Sequence, residues 1–180
     1  HDGAWRGHCD GLADRDHLDR MALVERPDRR PAAVLMADLE ASSPLARRLS
    51  TAQYFAFCRR LVRATDQCIV DHGGIVGRHA GDGVVAFFLA ETAGSESAAA
   101  RACIETARTL RTAVVDVADR SGLQPSDVSL RFGLHWGATL YVGWIITVGR
   151  SEVTATGDEL LVRWTIEPKH YLYQERMSFE

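Results

Sequence analysis

The chain has 180 residues, of which 46% are hydrophobic and 25% charged, values typical of a compact globular domain with a short extension. Its formal net charge is −3, and there is no long basic run. This argues against a nucleic-acid partner held by a phosphate-neutralising patch. No apolar stretch approaches the ~20 residues needed to cross a bilayer. The beginning of the chain also lacks the apolar core of a signal peptide, so we expect no membrane segment in this chain.

The four cysteines show no paired C-x-x-C spacing, and two of them fall within a helical pattern. They are Cys9, Cys58, Cys68 and Cys103. We interpret them as reduced packing thiols rather than a zinc site, which predicts a cytoplasmic location.

Residues 1–30 are rich in Asp, Arg and His and are predicted to be a charged leader. Apolar residues spaced between Leu12 and Val24 indicate a short amphipathic helix that ends before Pro27. Asp28–Arg30 then form a charged linker in this interpretation. A solvated leader and a partner-contacting helix both fit the pattern. Because the sequence starts at His1, we expect a longer parent protein, in which a regulatory domain would have a place.

Residues 31–180 are predicted to form the main domain. AAVLMADLE has the pattern of a buried strand that ends in acid. A capping box, Ser50–Gln53, starts a helix with a regular apolar stripe, and Gly73-Gly74 ends it. Two apolar runs around Gly81-Asp82-Gly83 predict a β-hairpin.

A second amphipathic helix follows and ends at Gly122 and Pro125. VSLRFGLHWG alternates as a half-buried strand, and ATLYVGWIIT with SEVTAT indicates a further strand pair. The order is βαββαβ with added strands. It predicts an α+β, ferredoxin-like antiparallel sheet with helices on one face.

Two acids fall at ends of neighbouring strands in this topology. Asp38 ends the first strand, and Asp82 lies in the hairpin turn. Carboxylates that converge repel each other unless a proton or cation intervenes, and Mg²⁺ accepts one or two carboxylates plus phosphates and water. The alternative is that each is an ordinary turn or capping residue.

The segment after Asp38, Leu39–Ser43, leads into Pro44, which suits the first turn of a helix. Its backbone amides and the Ser43 hydroxyl are candidates for binding phosphate oxygens. A serine that simply caps the helix explains the pattern equally well.

Several of these motifs together resemble the catalytic domain of class III adenylate and guanylate cyclases, particularly actinobacterial members. The resemblance covers roughly residues 31–160. It rests, in this order, on VLMADLEASSPLARRLS, GGIVGRHAGDGVVAFF, LRFGLHWGATLYVG and GRSEVTATGDE.

The resemblance implies a nucleotidyl cyclase that forms 3′,5′-cyclic nucleotide and pyrophosphate from a nucleoside triphosphate. Asp38 and Asp82 match the family's metal-ligating aspartates, and Leu39 matches a position whose carbonyl contacts a metal. Two Mg²⁺ or Mn²⁺ ions per site are implied. The family's active site lies between two cyclase domains, so a homodimer is implied as well.

The positions that read the purine base depart from the common pattern. Arg78 replaces a lysine, and Thr154 replaces an aspartate, as in one bacterial branch of the family. A guanidinium differs from an ammonium in geometry. ATP is the default substrate on this resemblance, giving cyclic AMP for signal transduction, and GTP is the alternative.

The C-terminal part departs further from the family. An asparagine and an arginine that stabilise the transition state are replaced by Leu161 and Thr165. The tail from Pro168 lacks the family's closing elements, and Lys169 is a poor match for a phosphate-binding lysine. The loss of one such donor commonly costs ~10²–10³ in rate.

Two other functions therefore compete with the enzyme hypothesis. One is a weak or silent cyclase-fold module that dimerises and regulates a partner while still binding nucleotide. The other is a dinucleotide cyclase, disfavoured because its glutamate-rich turn is replaced here by Ala80–Gly83.

Overall fold

A computed structural model of the protein describes residues 15–147 and 150–156. Five helices and five strands occupy these ranges, together with a single 3₁₀ turn at Pro125–Asp127. In chain order they are α1 (Arg15–Leu23), β1 (Asp28–Leu39), α2 (Ser42–Arg48), α3 (Thr51–Asp71), β2 (Ile75–Ala80), β3 (Gly83–Leu89), α4 (Ala90–Ala93), α5 (Glu96–Arg120), β4 (Leu130–Thr147) and β5 (Arg150–Thr156).

The strands form one antiparallel sheet in the order β2-β3-β1-β4-β5. The first strand is central, as the βαββαβ order requires, and pairs with β3 on one side and β4 on the other. The predicted α+β fold and its antiparallel sheet are confirmed.

The long helices α3 and α5 cover one face of the sheet. Alternate residues of β1 (Ala33, Leu35 and Ala37) point to this face, where they pack with Ile69 of α3 and Leu110 of α5. The predicted capping box starts α3, since the Ser50 side chain and the Gln53 backbone and side chain bond reciprocally. The two long helices therefore lie on one face of the sheet, as predicted, and α3 begins at the predicted capping box.

The short helix α1 lies on the opposite face, which differs from the expectation that helices occupy one face. Met21 and Val24 are buried there against β1, β3 and β4. The arrangement satisfies the apolar side of α1, which would otherwise be exposed to water.

Asp28–Arg30, interpreted as a linker in the sequence, are the first residues of β1 and pair with Leu140–Val142 of β4. Arg30 makes an ion pair with Glu91 and donates a hydrogen bond to the Leu23 carbonyl at 2.8 Å. These contacts join α1 to the sheet. The division of the chain at residue 30 stays a prediction.

The region predicted as two strands after α5 is one long strand, β4. Its pairing with β1 shifts register near Gly137, where a Cβ atom would lie 2.3 Å from Leu140 Cγ. Glycine at this position lets the Leu140 side chain fold back over the backbone. The irregularity explains why the sequence suggested a break.

No helix within the described ranges is long and apolar enough to span a membrane. Cys58, Cys68 and Cys103 are free thiols, as predicted, and Cys9 lies outside the described residues.

The strand β5 also contacts β2, although the two are not hydrogen-bonded neighbours. Gly77 makes this approach possible, because a Cβ atom there would lie 2.6 Å from the Phe87 ring and 2.9 Å from the Val153 carbonyl oxygen. Val153 and Phe87 are both buried in the same core. Gly77 therefore sets how closely β5 lies against β2.

We predict that Gly77→Ala lowers the free energy of unfolding by about 1–3 kcal/mol, because the buried ring and a backbone oxygen must move to admit a methyl group. Chemical denaturation measures the change. Gly133→Ala is the matched strand control, since its Cβ would make an ordinary 3.7 Å contact with Met36. Equal stability of the two variants would contradict the proposed packing of β5 on β2.

Candidate active site

Asp38 lies near the end of β1, on the side of the sheet away from α3 and α5. Its neighbours Ala37 and Leu39 are buried, at 3% and 2% exposure, whereas the Asp38 side chain is exposed. The alternation of a strand accounts for this orientation.

Asp82 lies in the tight turn between β2 and β3, as the sequence predicted. Gly81 takes a left-handed conformation there, with φ of 66°. Glycine is also needed at position 83, because a Cβ atom there would lie 3.0 Å from Asp38 Oδ1. The missing side chain at Gly83 lets the Asp38 carboxylate lie against the turn that carries Asp82.

The structure thus brings together the two aspartates, and their charges interact. Although Asp38 is exposed as a residue, its carboxylate is partly shielded from water where it lies against the turn. This shielding and then the negative charge of Asp82 raise the pKa of Asp38, while Arg131 and the Leu39 backbone lower it. Asp82 Oδ2 is buried and has no hydrogen-bond partner among the described residues. A buried carboxylate oxygen without a partner is costly unless a cation or donor reaches it.

This donor set fits a divalent cation that keeps much of its own shell. Within residues 15–147 and 150–156 there is no group of three His, Cys, Asp or Glu side chains arranged to hold a metal. Asp38 and Asp82 would therefore supply two carboxylates, with the Leu39 carbonyl as the further predicted ligand. Mg²⁺ and Mn²⁺ accept such a set because water and phosphate oxygens complete the coordination.

The loop after Asp38 is tied to the start of β4. The Glu40 backbone N–H donates to the Ser129 carbonyl at 2.9 Å, and the Ser129 hydroxyl donates to Glu40 Oε2 at 2.6 Å. Arg131 Nε lies 3.9 Å from Glu40 Oε1 and is paired in register with Asp38. These contacts, which the sequence did not reveal, fix the backbone on both sides of Leu39.

The helix α2 begins at Ser42, two residues before Pro44, and its N-cap is Ala41 in a left-handed conformation with φ of 54°. No side chain caps it, so the alternative that Ser42 or Ser43 is the cap is wrong. The capping residue is displaced because β1 runs on to Leu39 and leaves only a two-residue turn. Ser43 is exposed in the first turn of α2, and its predicted phosphate contact stays a prediction.

Tyr54 and Cys58 of α3 lie near Asp82, a feature that sequence reasoning missed. Burial and the Cys58 thiol raise the pKa of Tyr54 to about 12, with a smaller contribution from Asp82 and an opposing hydrogen bond from Ser42. Tyr54 therefore lies between Ser42 at the start of α2 and Asp82 in the β2–β3 turn. In the sequence, only its place in the first turn of the capped helix α3 pointed to this position.

A second contact joins the β2–β3 hairpin to α3. His79 Nε2 hydrogen-bonds Asp66 Oδ1 at 2.9 Å, and both side chains are mostly buried. The β2–β3 pairing is irregular between Val76 and His79. The pair therefore holds the hairpin against α3 just before the turn.

Arg78 and Thr154, predicted to read the base, lie on the facing strands β2 and β5. The Arg78 side chain is 61% exposed, and its Nε lies 3.9 Å from Glu152 Oε2. Thr154 is half-buried and follows the buried Val153. Leu161, Thr165 and Lys169 lie outside the described residues.

Comparison with known proteins identifies the fold. No protein-family model and no curated protein sequence matches the chain. The adenylyl cyclase CyaB from P. aeruginosa matches with a TM-score of 0.64 and 17% identity, over 74% of this chain and 69% of that one. The guanylyl cyclase Cya2 matches with a TM-score of 0.63 and 24% identity, over 73% of this chain and 66% of that one.

A third match is a class III adenylyl cyclase-like ATP-binding protein from Pseudomonas aeruginosa, with a TM-score of 0.56 and 20% identity. It covers 72% of this chain, which spans only 29% of that protein. The chain therefore has the fold of class III nucleotidyl cyclase catalytic domains.

We predict that Asp38→Asn raises the free energy of unfolding at neutral pH without divalent cations. The pKa of Asp38 is raised in the folded chain, so ionisation there costs more than in the unfolded chain. Solvent screening limits the gain to about 1 kcal/mol at most, or roughly 2–4 °C in melting temperature. Thermal unfolding of the two proteins measures it.

The control is Asp116→Asn on the exposed side of α5, which should change stability by less than about 0.5 kcal/mol. If Asp38→Asn instead lowered the melting temperature, Asp38 would be a stabilising residue and the repulsive pair would be refuted.

Proposed function

We propose that this chain is the catalytic-type domain of a class III nucleotidyl cyclase acting on a purine nucleoside triphosphate. The observation that carries the proposal is the meeting of Asp38 and Asp82, with Asp38 Oδ1 against Gly83 and Asp82 Oδ2 buried without a partner among the described residues. The cyclase fold gives this pair a context in which such chemistry is known.

In this proposal, the 3′-hydroxyl oxygen of the ribose attacks the α-phosphorus, the bond to the β-phosphate breaks, pyrophosphate leaves, and the hydroxyl proton passes to solvent. Asp38, Asp82 and the Leu39 carbonyl would hold two Mg²⁺ or Mn²⁺ ions. When bound, these ions lower the pKa of the attacking hydroxyl and neutralise the triphosphate.

The chain's own residues hold the reactants in place. The Glu40–Ser129 contacts fix the loop after Asp38, and Ser43 in the first turn of α2 is the proposed phosphate ligand. Arg78 and Thr154 are the proposed contacts to the base. Holding reacting groups in a fixed geometry supplies a large share of enzymatic rate enhancement.

A homodimer is part of the proposal, because the metal-binding residues and the base-reading residues would come from different copies. The part of the sheet around Asp38 leaves room for a second copy, since Met36 and Arg131 beside it are exposed. An exposed methionine next to charged groups fits a contact surface. Three free thiols fit the proposed cytoplasmic location.

The second candidate is a weak or silent cyclase-fold module that binds nucleotide and regulates a partner. Leu161 and Thr165, in place of the family's asparagine and arginine, favour it. The fold match to an adenylyl cyclase-like ATP-binding protein gives it a structural parallel.

The test is incubation of the purified chain with Mn²⁺ or Mg²⁺ and ATP or GTP, with cyclic product measured over a range of protein concentrations. We expect cyclic product with a specific activity that rises with concentration, because the site needs two copies. Asp38→Ala should abolish the product, whereas the matched control Asp116→Ala should leave it unchanged.

A double variant, Leu161→Asn with Thr165→Arg, separates the two candidates. For a weak enzyme, the added amide and guanidinium should raise the rate by about 10²–10³. If neither the natural chain nor the double variant forms product while both bind nucleotide, the silent module is correct. Product formation that survives Asp38→Ala would contradict the proposed site.

A further inference from the structure

A carboxylate that the sequence did not single out lies beside the proposed base-reading cation. Glu152 Oε2 is 3.9 Å from Arg78 Nε, and the Glu152 side chain is 22% exposed. The close packing of β5 against Gly77 brings the two strands to this distance.

Glu152 and Thr154 flank the buried Val153 on β5, so their side chains point to the same side of the strand. Glu152 therefore shares its side of β5 with a proposed base contact. Its ion pair with the largely exposed Arg78 places a donor and an acceptor next to each other.

This combination matches one purine better than the other. Guanine offers acceptors at O6 and N7, to which arginine donates, and donors at N1–H and the 2-amino group, which one carboxylate accepts together. Adenine has an amino group in place of O6 and no donor at N1 or C2. Against adenine, the guanidinium would face a donor, and the carboxylate would accept one hydrogen bond at most.

We infer that Glu152 is a base-recognising residue and that the Arg78–Glu152 pair selects guanine over adenine. The inference rests on the proposed function, since it concerns the nucleotide that the cyclase site would take. It reverses the default preference for ATP, which depended on the positions of Arg78 and Thr154 without the neighbouring carboxylate.

The test measures nucleotide binding to the full chain by calorimetry with Mn²⁺ present, using 3′-deoxy forms of GTP, ITP and ATP. These analogues lack the attacking hydroxyl and cannot be cyclised, so binding is measured without turnover. Hypoxanthine, the base of ITP, differs from guanine only in lacking the 2-amino group. It therefore reports on the bond to Glu152 alone.

We expect the natural chain to bind the guanine analogue about tenfold more tightly than the hypoxanthine analogue, and more tightly than the adenine analogue. In Glu152→Gln, the guanine-to-hypoxanthine ratio should fall towards one, because the amide lacks the second acceptor and the charge. Glu105→Gln is the matched control, since Glu105 is also paired with an arginine, Arg108, but on the surface of α5.

The inference is overturned if the natural chain binds the adenine analogue more tightly, or binds none of the three, or binds guanine and hypoxanthine equally. It is also overturned if folded Glu152→Gln keeps the natural ratio. Guanine-selective binding without cyclic product from GTP would refute the proposed activity but not the inference. Cyclic product formed preferentially from ATP would refute the inference about guanine but not the proposed cyclase activity.

Discussion

Repulsion between two carboxylates is the constraint around which this end of the molecule is built. The β1–β3 register brings Asp38 alongside the β2–β3 turn, and the pKa of Asp38 rises through burial and the charge of Asp82. Such a pair lowers stability unless a cation relieves it. The contacts around the pair hold the two carboxylates close together despite this repulsion. We call these contacts, which involve Gly83, Asp66–His79 and Glu40–Ser129, the frame of the site.

One part of the frame leaves room for a carboxylate, and the others hold the backbone that carries the two aspartates. Gly83 removes the side chain that would push Asp38 away, and the Asp66–His79 contact holds the hairpin to α3. Glu40 and Ser129 hold the opposite side of the site. A metal site is most effective when its ligands are held by neighbours in this way. The packing of β5 on Gly77 is a separate device, since it shapes the proposed base-binding region and places Glu152 beside Arg78.

Local patterns were sufficient to predict much of the fold. The capping box at Ser50, the glycine turn around Asp82 and the presence of a strand from Leu130 onward depend on near neighbours in sequence, and the structure contains all three. The proximity of Asp38 and Asp82 followed from the topology, because the central strand of a βαββαβ sheet lies beside the hairpin. The features that sequence reasoning missed depend on tertiary packing. Asp28–Arg30 have the composition of a charged linker, but they pair with β4 as the first residues of β1. Glu152 lies beside Arg78 only because β5 packs close to β2, which the sequence does not indicate.

The central claim is that Asp38 and Asp82 act together as ligands for a divalent cation, and Mn²⁺ binding followed by electron paramagnetic resonance tests it most directly. Bound Mn²⁺ loses the sharp spectrum of the free ion, so a titration gives both stoichiometry and affinity. The account predicts saturable binding to the natural chain, retained in Asp116→Asn and lost in both Asp38→Asn and Asp82→Asn. If both of these variants folded and bound Mn²⁺ as the natural chain does, the two carboxylates would not be a metal site.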